Sequence, residues 1–338
     1  MLVRKKKLLE DKIFYRPFDY PVYVEGWERQ VSMFWTIAEI SLDLDRKQYY
    51  ELLTEGERKI LMRIFCLFTQ MDVEVSKGYT GLLQVVKPYE AKAMVAAFLF
   101  METIHVKAYE GLSNSLKIPE TIFQEFVKYK AMSAKYDYIN TYKLDSPYEI
   151  ARTMAFMSGF IEGFCIFSAF CILICLSVSC GYMKGTAQVS ILSMRDETLH
   201  NKYMTHMFHD LIKEYNDQID LEKLEKDVVD SCCKLIELED QFIDECFAGQ
   251  EMRGITVDEV KSYIRRLAEI RIRALGFPFP EQYKYDPNHY PKWMDEVALS
   301  REMVDFFSGR PTEYAKLMKR TWKDIINEDD DSDDWSSI

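Results

Sequence analysis

The stretch Met101-Glu102-Thr103-Ile104-His105-Val106-Lys107-Ala108-Tyr109 decides the fold class when read beside Arg195-Asp196-Glu197-Thr198-Leu199-His200. Each contains Glu-x-x-His inside a strong helical apolar pattern, and the two lie on different predicted helices. Residues three apart share a helix face, so each pair presents a carboxylate and an imidazole side by side. Tyr109 follows His105 by four residues and Glu102 by seven, which returns it to nearly the same face. Spacing alone leaves Tyr109 open between a redox role and one more core tyrosine among 21.

Working outward, the rest of the chain also reads as long helices. Thr54-Glu55-Gly56-Glu57 is a capping box that opens a helix to about Leu83. Pro88 suits the first turn of the helix that carries Glu102, running to about Leu116. Pro119 opens a third, through about Tyr142. Asp145-Ser146-Pro147 starts a fourth that ends near Gly181, and further helices span about Thr186 to Tyr215 and Leu221 to Phe247. Thr256-Val257-Asp258-Glu259 is a second capping box, whose helix stops at Gly276. Residues 276–291 read as an ordered loop. Lengths of about 25 to 30 residues far exceed the usual mean of about 11–12 and fit a bundle with a cofactor in its core. The expectation is an all-α, ferritin-like bundle.

Composition narrows the function classes. Among 338 residues Gly and Pro number only 13 and 10, against 17 Met, 21 Phe and 21 Tyr, which favours helices over a many-stranded sheet. A formal net charge of -12 makes nucleic acid a poor partner. The basic run Arg4-Lys5-Lys6-Lys7 reads as a solvated arm, with no apolar signal segment after it. Eight cysteines form no CxxC pair, which points to reduced thiols and a cytoplasmic protein. The uncharged run from Gly163 to Met183 is long enough to span a bilayer. Its Cys, Ser and Gly content and the preceding Glu162 instead mark it as the central buried helix, so no membrane is expected.

Two more carboxylates would complete a dimetal site. Glu162 is the one charge between Arg152 and Lys184, and a lone buried carboxylate needs a partner. In Phe68-Thr69-Gln70-Met71-Asp72-Val73-Glu74-Val75, Asp72 falls on the apolar stripe. Glu74 lies about 200° further round and should face elsewhere. Asp72, Glu102, Glu162 and Glu197 would bring four negative charges and His105 and His200 none, which balances two divalent cations. Such a donor set suits iron or manganese better than structural zinc and is the pattern of ferritin-like di-iron and di-manganese proteins. The residues leave several readings open: a dimetal oxidase acting on a small or lipid-like ligand, iron storage, or a metal-free helical scaffold.

The two Glu-x-x-His segments, Phe68 to Val75 and Ile161-Glu162-Gly163 together resemble the ligand helices of class I ribonucleotide reductase small subunits, over about Arg16 to the end of the chain. The resemblance implies a radical-generating subunit of ribonucleoside-diphosphate reductase, active with a separate large catalytic subunit. It implies metal ligands at Asp72, Glu102, His105, Glu162, Glu197 and His200 and a tyrosyl radical at Tyr109. The metal would be two iron ions, with two manganese ions or a mixed Mn/Fe pair as alternatives. Phe34-Trp35 is similar to the segment bearing the family's radical-relay tryptophan, and Asp196 to the aspartate joining it to a histidine ligand, here His105. Residues 306–314 resemble the C-terminal region and make Tyr314 the tail tyrosine. The expected organisation is an arm (1–21), a ferritin-like domain (22–305) and a tail (306–338) docking on the large subunit, in a homodimer. Two departures stand out. Ser193 sits where the family often has an aliphatic residue by the radical. The helix between Glu162 and the Met183-Lys184-Gly185 turn is one residue longer, which a local bulge would absorb.

Overall fold

Side-chain caps start the helices where the sequence places them. Thr54 accepts a hydrogen bond from the Glu57 amide, and the Glu57 carboxylate accepts from the Thr54 amide at 2.8 Å. Thr256 and Glu259 repeat the arrangement. A computed structural model describes residues 5–298, apart from the side chains of 67–69 and 125–127. Its helices are α1 (Pro21–Ser32), α2 (Asp43–Glu51), α3 (Glu55–Val85), α4 (Tyr89–Ser115), α5 (Lys130–Ile139), α6 (Pro147–Met154), α7 (Phe167–Cys180), α8 (Lys184–Glu214), α9 (Leu221–Phe247) and α10 (Val257–Ala274). No named strand occurs among the described residues, where an isolated bridge joins Met252 and Ile255.

Between α6 and α7 the backbone is π-helical over Ala155–Cys165. The three pieces form one helix of 34 residues, Pro147–Cys180, and Gly181 ends it in the left-handed conformation at φ 71°. The irregularity begins before Glu162, and it overlaps the stretch where a bulge was expected only over residues 162–165. The whole helix is the one among the described residues long and apolar enough to cross a membrane, but 78% of its most apolar window is buried within the bundle. It packs against α8, α9 and α10, with α3 against α4 on the other side of the core.

Three expectations need correction. The helix predicted from Pro119 to Tyr142 is two pieces: a 3-10 run over Glu120–Lys128, an extended Tyr129, then α5. Glu245 on α9 caps the second piece by accepting from the Ala131 amide at 3.0 Å, a contact local sequence could not reveal. Helices α1 and α2 were not anticipated. Asp45 on α2 accepts from the amides of Gly185 and Thr186, capping α8. A Cβ at Gly185 would lie 2.6 Å from the Ser41 carbonyl, so this approach requires glycine. Finally, the arm is docked rather than solvated. Lys7 donates to the Glu214 carbonyl at the basic-favouring end of α8, the Leu8 amide donates to the Glu214 carboxylate, and Leu8 is fully buried. Arg4 lies outside the described residues.

Candidate metal centre

Four long helical segments each deliver a carboxylate to the same buried point: Asp72 from α3, Glu102 from α4, Glu162 from the π segment and Glu197 from α8. His105 and His200 lie between them, and all six side chains are buried. The Nδ1 of His105 lies 3.6 Å from Glu102 Oε2 and 3.1 Å from Glu197 Oε1. The Nδ1 of His200 lies 3.1 Å from Glu102 Oε1 and 3.5 Å from Glu197 Oε2. Glu102 and Glu197 therefore each turn one oxygen to either imidazole. Asp72 reaches only the His105 side, at 4.0 Å, and Glu162 only the His200 side, at 3.3 Å. The result is two adjoining half-sites that share two carboxylates.

The donor atoms fit a pair of cations. Asp72 Oδ2, both oxygens of Glu102, both of Glu197 and His105 Nδ1 are buried without a hydrogen-bond partner of good geometry. Orphaned buried charges cost about several kcal/mol each unless compensated. Ligand-atom groups small enough to hold an ion recur here as Asp72 with Glu102 and His105, and as Glu102 with Glu162, Glu197 and His200. The titration shifts express the same crowding of negative charge. Burial, then the neighbouring Glu102 carboxylate, pushes Asp72 well above the usual range. Burial likewise raises Glu162 to about 7, opposed by His200. Burial would raise Glu102 too, but His105 and His200 outweigh it and hold the carboxyl down to about 2. Burial disfavours the imidazolium at both histidines, yet the surrounding carboxylates drive both pKa values well up.

The backbone beneath Glu162 is held from outside its own helix. A π turn leaves carbonyls poorly matched to i→i−4 partners. Asn201 donates to the carbonyls of Ser158 and Gly159, Arg271 to Gly163 and Lys135 to Cys165. Lys135 is itself fully buried and paired with Glu239 at 2.5 Å.

A polar chain leads outward from His105. Its Nε2 lies 3.1 Å from Asp196 Oδ2, which also accepts from Trp35 Nε1 at 2.7 Å. The Trp35 and His105 rings are 6.0 Å apart and inclined by 29°. Burial would raise Asp196, but the hydrogen bond and charge of His105 hold it below the usual carboxylate range. Tyr109 is buried one turn beyond His105, with ring centroids 6.4 Å apart. Burial and then the Asp72 charge raise its phenol pKa well above 10, and the buried Ser193 hydroxyl draws it partway back. Glu74, as expected, points elsewhere: it is buried beneath Lys77 and Gln70. Tyr314 and the tail through Trp335 lie outside the described residues.

Sequence reasoning missed two residues that touch the cluster. The Oε1 of Gln30 on α1 lies 3.0 Å from His200 Nε2, and its Nε2 donates to Asp196 Oδ1 at 3.2 Å. Tyr79 on α3 donates to Glu162 Oε2 at 2.7 Å. Tyr79 sits two turns after Asp72 on the same helix face, a signal that helical spacing carries.

A helical bundle with this carboxylate and histidine cluster in its core belongs to the ferritin-like class whose sites are compatible with a dimetal centre. Comparison with known proteins makes the class specific. The family model described as ribonucleotide reductase, small chain, matches residues 12–289. The chain is 34% identical to a protein named as a ribonucleoside-diphosphate reductase small subunit in Invertebrate iridescent virus 3, over 92% of this chain and 86% of that one. Its fold resembles the ribonucleotide reductase R2 subunit from Clostridium botulinum, with a TM-score of 0.77, 20% identity and coverage of 88% and 97%. It also resembles the dimanganese(II)-NrdF of Streptococcus sanguinis, with a TM-score of 0.72, 22% identity and coverage of 85% and 99%. The chain belongs to the ribonucleotide reductase small chain family. It is thus the small subunit of an oxidoreductase whose partner is a large subunit, and the storage, scaffold and small-ligand oxidase readings give way to that one.

Proposed function

We propose that this chain generates and stores a tyrosyl radical at Tyr109 and passes its oxidising equivalent to the large subunit, which reduces ribonucleotides to deoxyribonucleotides. The relatives' names favour diphosphate substrates. The observation that carries the reading is the convergence of six buried side chains, four of which (Asp72, Glu102, His105 and Glu197) hold donor atoms without hydrogen-bond partners. Asp72 and His105 would hold one ion, Glu162 and His200 the other, and Glu102 and Glu197 would span the two. Hard oxygens with two nitrogens suit a pair of iron ions, with two manganese ions or a mixed Mn/Fe pair as alternatives. The dimanganese relative shows that the fold admits manganese in that protein.

When bound, the metal pair supplies the oxidant for the phenol of Tyr109. The protein's own part is to bury that phenol beside Asp72, away from water and exogenous reductants. Asp196 fixes the His105 ring and ties it to Trp35, so the three form a continuous hydrogen-bonded path toward the surface bearing α1. We assign the end of that path to Tyr314 on a tail (306–338) that docks on the large subunit, with residues 22–305 as the radical-generating domain and 1–21 as an arm. An apolar stripe on α1 and α4 supports a homodimer. None of the eight cysteines forms a disulfide and six are buried, which suits a reducing cytoplasm.

The test is Tyr109→Phe, examined by low-temperature electron paramagnetic resonance after metal loading and oxygen exposure. The variant should keep its metal and lose the tyrosyl signal. An unchanged radical spectrum would refute the assignment.

A further inference from the structure

We propose that Tyr79 is a positioning residue that restricts Glu162 to one-oxygen coordination, keeping a ligand position open on the His200 half of the centre. This rests on the dimetal reading given above.

The two oxygens of Glu162 are divided between different neighbours. Oε1 lies 3.3 Å from His200 Nδ1, inside the cluster, while Oε2 accepts the Tyr79 phenol proton at 2.7 Å. Glu102 and Glu197 differ: all four of their oxygens lack a hydrogen-bond partner and are available to ions. Asp72, the corresponding carboxylate of the other half-site, leaves Oδ2 unpartnered. A hydrogen bond from a neutral phenol to a buried carboxylate is charge-assisted and strong. It competes directly with a second metal–oxygen bond from the same carboxylate.

Tyr79 is built as a fixed anchor. It is buried, lies edge-on to His200 at 5.9 Å and to Phe98 at 6.1 Å, and projects from the regular α3 helix. Ser158, at 3.5 Å from the phenol oxygen, adds a polar contact on the π segment itself. Glu162, by contrast, rides on π-helical backbone that departs from the regular α-helical ladder. Asn201, Arg271 and Lys135 hold that backbone, and Tyr79 holds the carboxylate. Such partners of ligands orient them and typically alter affinity or activity by about 10–100-fold when removed.

The test uses cobalt(II) in the full-length protein, read by visible absorption and by equilibrium dialysis, with no turnover required. Cobalt(II) bands weaken as coordination number rises, so geometry is read from intensity. Tyr79→Phe should still take up two ions per chain, but with weaker bands as the freed Oε2 joins the second ion. A spectrum superimposable on that of the unaltered protein, with both ions bound, would overturn the proposal. Incorporation of 3-fluorotyrosine at position 79 gives a second measurement that does not depend on the Phe variant folding. A more acidic phenol should shift the cobalt bands, and unshifted bands would overturn the proposal equally. If the unaltered protein takes up no cobalt at this cluster, the dimetal reading fails first and the role of Tyr79 falls with it.

Discussion

Gln30 serves His200 as Asp196 serves His105. Each engages the Nε2 of its imidazole and leaves Nδ1 facing the carboxylates, which fixes the ring orientation and the nitrogen available for a metal. Gln30 also donates to Asp196, so both histidines hang on one buried polar network. Gln30→Leu should lower metal affinity by about 10–100-fold, measured by competition with a chelator. Affinity equal to that of the unaltered chain would show that the network is dispensable. At this scale the sequence was legible wherever chemistry was unusual. Glu162 was exposed as a candidate by being the lone charge in its helix, and Asp72 was separated from Glu74 by helical angle. Gln30 was not, because a glutamine on a short amphipathic helix resembles a surface residue, and Tyr79, one tyrosine among 21, is marked only by its spacing of two turns from Asp72.

At the scale of elements, the caps and the long central helix were readable, since both rest on local side-chain chemistry and period. The break before α5 and the helices α1 and α2 were not. They depend on distant partners: Glu245 caps α5, and Gly26 lets α1 approach so closely that a Cβ there would lie 2.7 Å from Met94 Sδ. Glu57 joins the two kinds of control. It completes the α3 capping box and also accepts from Arg253 Nε at 2.5 Å, linking α3 to the loop before α10. Burial would raise its pKa, but the hydrogen bonds from Arg253 and the Thr54 amide outweigh it and hold the carboxyl below 4.5. A carboxylate depressed in the folded state adds stability above its unfolded pKa and loses it as pH falls through the folded value. Glu57→Gln should therefore cost about 1–2 kcal/mol at neutral pH. The gap in melting temperature should close as pH falls below 4.5. A gap independent of pH would contradict the assignment of that stability to the ionised carboxyl.

For the whole molecule, the described surface bears an apolar stripe that the fold leaves uncovered. Trp27, Val31 and Phe34 line one side of α1 and its end, with exposures of 41%, 55% and 49%, and Phe34 stacks on the half-exposed Phe100 at 6.0 Å. Contiguous exposed apolar side chains mark association surfaces. If the proposed homodimer pairs through this stripe, Val31→Glu should shift sedimentation from dimer to monomer while sparing metal uptake, because Val31 is exposed at the surface. A dimer that persists unchanged would remove α1 from the interface. The bundle itself was legible from helix lengths and the two Glu-x-x-His pairs. The exposed stripe was not, since it becomes visible only once the core has claimed the other apolar faces.

The proposed radical chemistry and the roles of Gln30 and Tyr79 require that two cations bind between α3, α4, the π segment and α8. Anaerobic titration with manganese(II), following loss of the free-ion paramagnetic signal, counts them directly. Uptake should saturate at two ions per chain in the unaltered protein. Glu102→Ala, which removes a carboxylate facing both imidazoles, should retain one ion at most. Saturation below two in the unaltered chain, or undiminished uptake in the variant, would contradict the account.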